Sequence, residues 1–213
     1  MTATRPERRP IDGRFIRLEP FDESHIPALW RAIGRPEVFA GGYGGGPAGL
    51  PADEAAYAAW VVDYFPYRTG NTYVIRLIGG RHDGTVVGAS SLADFDEVRE
   101  SAHLGWTGYA PEVWSTAVNP EAKLLLLGTA FEHGYGRVKI QADARNERSR
   151  AAIAKLGATF EGIVRREGRR ADGSWRDAAV FSVIVDDWPR VQVGLVERLA
   201  AWGDAPVVPE LRF

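Results

Sequence analysis

The feature that most constrains this chain is a strand with two internal glycines, followed by a helix, a strand and a second helix within residues 101–162. The first strand, AHLGWTGY at 102–109, contains Gly105 and Gly108, and glycine inside a strand often marks a bulge or a close backbone approach by another group. The helix that begins near Asn119 presents free N–H groups and the positive end of its dipole. The unit therefore predicts a site for an extended ligand that carries phosphate.

Hydrophobic periodicity and turn residues divide the whole chain into strands and helices. Strands are predicted at 13–19, 71–79, 85–95, 102–109, 138–142, 159–166 and 175–185. Helices are predicted at 22–33, 53–67, 121–135, 146–156 and 187–202. Because hairpins surround one strand–helix–strand crossover, we expect an α+β (mixed α/β) fold with a twisted, mostly antiparallel sheet flanked by helices.

The 213 residues suit one domain with short extensions. We predict a disordered arm at 1–12, a single domain at 13–203 and a loose tail at 204–213. The glycine-rich stretch at 41–49 predicts a mobile loop, either a simple connector or a flexible wall of a substrate pocket.

Composition excludes several functional classes. A net charge of -2 argues against a dedicated nucleic-acid binder. No apolar run is long enough for a membrane span, and we expect no signal peptide, so no membrane partner is predicted. The chain has no cysteine, which removes disulfides, thiolate metal sites and a cysteine nucleophile and fits a cytoplasmic location. His25, His82 and His133 lack metal-ligand spacing, so no metal site is predicted.

Three pieces of the chain resemble GNAT-family N-acetyltransferases, specifically the RimJ/RimL-like branch of ribosomal-protein N-terminal acetyltransferases. They are LGW at 104–106, EAKLLLL at 121–127 and NERSRAAIAKLGATFEG at 146–162, the last being the most specific. The resemblance extends over roughly 13–186. It implies a GNAT-like acyl-CoA N-acyltransferase fold with a splayed fork, a gap between the fourth and fifth predicted strands (102–109 and 138–142).

The resemblance also implies acetyl-CoA as the acyl donor. Its pantetheine would lie in the fork and pair with the strand at 104–108, and its pyrophosphate would sit on the helix that begins near Asn119. Asn146 would bond the pantetheine arm, although it is equally suited to cap its own helix. The implied cofactor-binding residues are Leu104, Gly105, Trp106, Thr107, Thr116, Ala117, Val118, Asn119, Glu121, Ala122, Asn146 and Arg150.

The pyrophosphate loop departs from the family pattern. The family places glycines here, which let phosphate approach the backbone closely, whereas residues 115–122 contain none. Asn119 tolerates left-handed geometry, and Pro120 at the first helical position would remove one N–H donor. Thr116 and the Asn119 side chain are the candidate replacements.

His103 and Ser149 are the candidate catalytic residues. An amine must lose a proton before it attacks, and His103 stands where related enzymes often have Glu. The alternatives are that His103 faces solvent or a strand neighbour, and that Asp94, Asp96 or Glu100 acts through water. Ser149 would orient or protonate the leaving sulfur, or serve only as a first-turn helix residue. Arg145, Arg148 and Arg150 form a basic cluster that would meet phosphate or simply face solvent.

The expected function is transfer of an acetyl group from acetyl-CoA to a primary amine by direct attack in a ternary complex. The acceptor is a protein N-terminus or an amine-bearing small molecule, and the sequence leaves the acyl length open. The alternative is a non-catalytic GNAT-like module that binds coenzyme A or regulates a partner. Either a monomer or a homodimer is compatible with the apolar residues of the last helix.

Overall fold

The structure, a computed structural model, describes residues 2–207, within which eight strands form one sheet. The strands are β1 (Ile11–Asp12), β2 (Ile16–Pro20), β3 (Asn71–Leu77), β4 (Val86–Asp96), β5 (Ser101–Tyr109), β6 (Arg137–Asp143), β7 (Thr159–Arg169) and β8 (Trp175–Ile184). The helices are α1 (Ile26–Ile33), α2 (Pro36–Ala40), α3 (Glu54–Tyr64), α4 (Val118–Glu132), α5 (Glu147–Leu156) and α6 (Trp188–Ala201). The predicted mixed α/β class is confirmed.

The sheet order is β1-β2-β3-β4-β5-β6-β8-β7. Neighbouring strands pair antiparallel, with one exception, the parallel pair β5–β6. α4 connects these two strands, as a parallel pair requires a crossover. The expected sheet, mostly antiparallel with one crossover, is therefore confirmed.

Helices cover both faces of the sheet at β5. Thr107 faces α4, because the Lys123 Nζ atom lies 3.1 Å from its hydroxyl oxygen. Gly108 faces the opposite way, since a Cβ atom placed on it would lie 3.1 Å from the Tyr43 ring and 3.5 Å from Ile33 of α1. This alternation follows from the strand geometry, and it places α1 and α4 on opposite sides of the strand that borders the fork.

Two helix boundaries illustrate how well local signals work. Asn146 caps α5 by accepting the Ser149 N–H at 2.9 Å, and Gly157 ends it in the left-handed conformation (φ 98°). Both residues were predicted in these roles. α4 instead begins at Val118, ahead of the predicted start at Glu121, because the Thr116 hydroxyl accepts the Val118 N–H at 3.3 Å and extends the first turn.

Residues 2–10 pack against the domain, which differs from the disordered arm expected at 1–12. Ala3 is buried, and the Asn71 side chain donates a hydrogen bond to the carbonyl of Pro6 at 2.8 Å. Asn71 is distant in sequence, so the order of this segment depends on partners that local composition does not reveal.

The tail expected to be loose at 204–213 is described only as far as 207. Val207 is buried, and Asp204 forms an ion pair with Arg14. The remainder of that prediction, 208–213, lies outside the described residues.

The glycine-rich stretch at 41–49 forms two short 3₁₀ turns rather than an extended connector. Gly44 adopts φ 60°, and a Cβ atom there would lie 2.5 Å from the Phe39 ring. The carbonyl of Gly45 accepts the Ala171 N–H at 3.0 Å from the β7–β8 turn. The loop is thus attached to the far end of the sheet.

Glu121 joins α4 to the beginning of β2. Its carboxylate is 3% exposed and accepts the backbone N–H groups of Arg14, Phe15 and Ile16 at 2.7, 2.7 and 2.8 Å. Gly13 permits this approach, since a Cβ atom there would lie 2.6 Å from the Glu121 carboxyl carbon. The carboxylate therefore replaces strand partners that these three donors lack.

We expect Glu121→Ala to lower the free energy of unfolding by about 3 kcal/mol or more, because buried N–H donors lose their acceptor. Glu132→Ala, at an exposed position of the same helix, is the matched control and should change it by less than about 0.5 kcal/mol. Urea denaturation measures both. Equal effects of the two substitutions would contradict this role for Glu121.

Candidate functional site

The site begins where β5 and β6 separate. Their parallel pairing is limited to Ser101–Leu104 opposite Arg137–Ile140. Beyond this point β5 remains bonded to β4, and β6 remains bonded to β8 through Asp143. The backbone groups of β5 after Leu104 that point toward β6 therefore have no strand partner, and such groups can pair with an extended ligand.

A bulge at Trp106 lies at the point of separation. The pairing of β4 with β5 shifts between Ser91↔Gly105 and Ala89↔Gly108, so β5 has one extra residue here. Trp106 itself adopts φ 50°, an uncommon value for a bulky side chain. Bulges bend a strand and re-aim its side chains, so the bulge accounts for the divergence of β5 from β6.

The gap encloses a cavity of about 450 Å³, which we call the fork cavity. Its walls come from β5, β6, α4, α5, the segment leading into α4, and single residues of α2, α6 and the glycine-rich loop. They comprise Val38, Tyr43, Leu104, Gly105, Trp106, Thr107, Gly108, Tyr109, Val113, Trp114, Ser115, Asn119, Lys123, Ile140, Gln141, Asn146, Arg148, Ser149, Ala151, Ala152, Ile153, Lys155, Leu156 and Arg198. Because Tyr43 is among them, the glycine-rich loop forms part of the cavity wall.

About half of the sequence-predicted site residues line this cavity. They are Leu104, Gly105, Trp106, Thr107, Asn119, Asn146 and Ser149. They come from three separate elements, β5, α4 and α5, which the fold brings to one gap. The splayed strands and the Asn146 helix were therefore the informative parts of the sequence.

The other predicted residues do not line the cavity: His103, Thr116, Ala117, Val118, Glu121, Ala122 and Arg150. Ala117, Val118 and Ala122 belong to the hydrophobic core. The Thr116 hydroxyl is engaged within its own turn, where it donates to the Val113 carbonyl at 2.7 Å. The sequence predicted that the segment at 116–122 borders the cavity, but it did not predict which of its side chains face the cavity.

The prediction that Glu121 and Arg150 bind the cofactor is wrong, because both side chains are engaged elsewhere. The Glu121 carboxylate holds the start of β2, as described above, and does not face the fork cavity. The Arg150 guanidinium donates to the carbonyl of Ala144 at 3.2 Å, on the loop that leads into α5. Its neighbour Arg148 lines the cavity instead, with its guanidinium 3.5 Å from the centre of the Trp114 ring. Residues two apart on a helix point in different directions.

His103 does not line the fork cavity, but its ring packs against Trp106, which does. It is 5% exposed, its Nδ1 atom is 3.0 Å from the Asp94 carboxylate, and its ring centre is 4.8 Å from that of Trp106. Its Nε2 atom has no hydrogen-bond partner among the described residues. His103 therefore faces neither solvent nor the cavity directly.

Burial lowers the pKa of His103, and the hydrogen bond with Asp94 partly opposes this shift. The same hydrogen bond holds the pKa of Asp94 below its ordinary value. Asp94 sits at a second bulge, in β4, with φ 51°. A neutral imidazole oriented by a carboxylate is an arrangement suited to accepting a proton near neutral pH.

The loop before α4 turns without glycine. Ser115 adopts the left-handed conformation with φ 63° and lines the fork cavity together with Asn119. Pro120 follows within the first turn of α4. Ser115 therefore provides the left-handed turn before α4 without a glycine.

The sequence analysis missed Lys123, which lines the cavity from α4. It lies on the helix face that also buries Leu126 and Leu127. A lysine three and four residues before buried leucines was the available signal, since these spacings share a helix face.

The second missed feature is an ion pair between Asp143 and Arg170. The Asp143 carboxylate meets the Arg170 Nε and Nη2 atoms at 2.8 and 2.9 Å, and the side chains are 5% and 9% exposed. The Asp143 carbonyl also accepts the Asn146 N–H at 2.8 Å. The pair therefore fixes both the β7–β8 turn and the loop that positions Asn146.

The charge of the fork cavity has one sign. Four basic side chains line the cavity, those of Lys123, Arg148, Lys155 and Arg198. None of the described Asp or Glu residues lines it. Such a cavity favours an anionic ligand. Across the described residues no group of three His, Cys, Asp or Glu side chains is placed to hold a metal ion.

A splayed strand pair with a basic cavity that ends at a helix N-terminus is suited to an extended ligand that carries phosphate. The model of the acetyltransferase (GNAT) domain matches residues 16–159. The chain belongs to the GNAT acetyltransferase family.

Known proteins agree with this assignment. YdaF of Bacillus subtilis (strain 168), named as a ribosomal N-acetyltransferase, is 32% identical over 108 residues, which are 50% of this chain and 58% of that protein. An acetyltransferase structure from T. thermophilus is 33% identical, with TM-score 0.78, over 92% of this chain and 100% of that one. RimL, the ribosomal L7/L12 alpha-N-protein acetyltransferase in complex with coenzyme A, is 17% identical, with TM-score 0.67, over 84% and 99%.

The match to YdaF thus extends over less than two thirds of that protein, and the likeness to RimL is one of fold. These relatives agree with the RimJ/RimL-like branch that the sequence resembles. Within residues 2–207, none of the helices combines the length and the apolar character that crossing a membrane requires.

We expect Asp143→Ala to lower the free energy of unfolding by about 3 kcal/mol or more at pH 7, because it leaves Arg170 buried without its partner. Asp12→Ala, which breaks an exposed pair with Arg17, is the control and should have an effect near the error of the measurement. Urea denaturation of both variants and the parent gives the comparison.

The loss caused by Asp143→Ala should also depend on pH. Burial acts to raise the pKa of Asp143, but the hydrogen bonds from Arg170 and Arg145 outweigh it and hold that pKa below its ordinary value. The pair is therefore fully stabilising above about pH 4 and weakens as the pH falls further. A destabilisation that stays constant between pH 7 and pH 3 would argue against this ion pair.

Proposed function

We propose that this protein transfers an acetyl group from acetyl-CoA to a primary amine by direct attack in a ternary complex. The observation that carries the proposal is the fork cavity, whose β5 backbone groups have no strand partner and whose charged side chains are all basic. Both features match a donor that combines an amide-containing arm with phosphates. Family membership supports the same conclusion.

In this proposal the pantetheine arm pairs with β5 between Gly105 and Gly108, where parallel pairing with β6 has ended. The phosphates lie toward Ser115 and Asn119, where α4 begins and its dipole is positive. The Asn146 oxygen is occupied by capping α5, which leaves its NH₂ group as the donor for the arm. The thioester then lies near the bulge at Trp106.

The chemistry requires one bond to form and one to break. The neutral amine attacks the thioester carbonyl, a C–N bond forms, and the C–S bond breaks to release the coenzyme A thiolate. The proton leaves the amine for the Nε2 atom of His103, which Asp94 orients through Nδ1. Because His103 does not itself line the cavity, a side-chain movement or a water must connect the amine to that atom. Ser149 supplies a hydroxyl beside the departing sulfur.

We further propose a protein N-terminus as the acceptor, in keeping with the names of the ribosomal-protein acetyltransferases that this chain resembles. A small-molecule amine is the other acceptor class. Tyr43 of the glycine-rich loop lines the cavity, and the Gly45–Ala171 hydrogen bond joins this loop to the β7–β8 turn. A cytoplasmic location fits a chain without cysteine.

A second candidate is a non-catalytic module that binds coenzyme A. Two observations favour it: His103 does not line the fork cavity, and the loop before α4 lacks glycine. Thiol release separates the two functions, since a module binds coenzyme A but releases no thiol with any amine or N-terminal peptide offered.

The binding part is tested by titration calorimetry with acetyl-CoA. The parent should bind at micromolar concentrations, and Asn146→Ala should weaken binding about tenfold by removing a hydrogen bond to the arm. Asp53→Ala is the matched control, because Asp53 caps α3 in the same way, accepting the Ala56 N–H at 2.8 Å. Both variants lose a cap, but the control should bind as the parent does. Absence of binding by the parent at millimolar acetyl-CoA would end the proposal.

The catalytic part is tested by the pH dependence of thiol release with an N-terminal peptide. Since the pKa of His103 is below its ordinary value, the rate per neutral peptide amine should be level near neutral pH and should decline in acid as the imidazole is protonated. His103→Gln should lose about a hundredfold or more in kcat and should lose this acid decline.

Asp94→Asn distinguishes orientation from direct catalysis. The Asp94 carboxylate acts to raise the pKa of His103, so its removal should shift the acid decline to lower pH as well as reduce kcat. An unchanged pH profile in both variants would assign proton removal to another group.

A further inference from the structure

Lys123 is a buried amine whose position the fold does not explain. It is 7% exposed, and its Nζ atom donates to the Thr107 hydroxyl at 3.1 Å while lining the fork cavity. Thr107 already shares a hydrogen bond with Ser90 at 2.8 Å. The lysine is therefore not needed to satisfy that hydroxyl, and an ammonium group has two further protons to donate.

The surroundings of Lys123 provide no negative charge among the described residues. Ser90 of β4 and Thr107 of β5 present neutral hydroxyls, and α5 and α6 contribute only basic groups to the cavity, namely Arg148, Lys155 and Arg198. Of the two carboxylates on its own helix, that of Glu121 is engaged by the backbone at the start of β2, and Glu132 is exposed at the other end of the helix.

Desolvation has a large effect on this group. Burial lowers the pKa of Lys123 from 10.5 to about 7, with no opposing contribution from a carboxylate. Burying an ammonium group without a counter-charge is costly. The free protein avoids most of that cost by holding Lys123 largely unprotonated near neutral pH, and an anion that enters the cavity would favour the charged form.

The direction of the side chain indicates what enters. Side chains on a helix point back toward its N-terminus, and residues four apart lie above one another on one face. Lys123 reaches Thr107 near the end of β5 and lies one turn after Asn119 on the same helix face, and both line the cavity together with Ser115. This is the end of the cavity at which the loop lacks glycine and Pro120 has removed a backbone donor.

We propose that Lys123 is the counter-charge for the phosphate groups of the cavity's ligand and that it takes up a proton when this ligand binds. The amine substitutes for the backbone donors that a glycine-containing loop would provide. This inference rests on the proposed function, in which the ligand is the coenzyme A carrier.

Titration calorimetry with coenzyme A at pH 7.5, in two buffers of different ionisation enthalpy, measures the proton uptake. The parent should take up most of one proton per ligand, because a group with a pKa of about 7 is mostly neutral at pH 7.5 before binding. Lys123→Met should lose this uptake and bind about tenfold more weakly. Lys123→Arg should bind within a few-fold of the parent, again without proton uptake, because arginine is always charged.

Lys155→Met is the control for general loss of positive charge. Lys155 lines the same cavity but is exposed, so this variant should keep the proton uptake even where its affinity falls. Proton uptake by Lys123→Met equal to that of the parent, or binding within twofold of it, would overturn the inference.

Stability separates a ligand role from a structural one. If Lys123 serves the ligand, Lys123→Met without ligand should be at least as stable to urea as the parent, because an apolar side chain replaces a buried amine that has no carboxylate partner. A clear loss of stability would assign Lys123 to the packing of β5 and would also overturn the inference.

Inorganic pyrophosphate separates this inference from the proposed function. If the parent fails to bind coenzyme A, the proposed function fails, and the same titration is made with pyrophosphate. Proton uptake that depends on Lys123 would then support the phosphate counter-charge on its own, whereas binding without it, or no binding, would reject it.

Discussion

The structure depends on a parallel ladder that ends early. β5 and β6 share hydrogen bonds only as far as Leu104 and Ile140, yet each strand continues with a different partner. Neither strand can rotate back to close the gap, because β4 holds one and β8 holds the other. Buried N–H and C=O groups without hydrogen-bond partners are costly. The gap between the strands is therefore tolerated because a ligand or water can enter it. The bulge at Trp106 directs the two strands apart.

Two residues of α4 that are two positions apart have different roles. Glu121 anchors the beginning of β2, whereas Lys123 faces the cavity. Successive helix positions are about 100° apart, so two positions span more than half of the circumference. One helix can therefore stabilise the sheet through a satisfied carboxylate and leave an unsatisfied amine for a ligand. Glu121 is satisfied by backbone N–H groups and has a structural role. Lys123 has no carboxylate partner, which leaves it free for a ligand.

Local signals predicted a large part of the fold. The Asn146 cap, the Gly157 helix end and the Asp53 cap are all present as expected, because each depends on hydrogen bonds within a few residues. The glycines of β5 also marked the cavity correctly. Arg150 was less predictable, since its direction depends on the exact start of α5 and on the position of the Ala144 carbonyl.

The sequence by itself determined the order of strands and helices, the single crossover and the strand that borders the cavity, because periodicity, caps and glycine positions act over short distances. Only the tertiary structure decided which side chains face the cavity. Lys123 meets Thr107 across 16 residues, and Asp143 meets Arg170 across 27, so both contacts depend on how distant elements pack. Burial, which changes the charge state of Lys123, likewise exists only once α4 lies against the sheet.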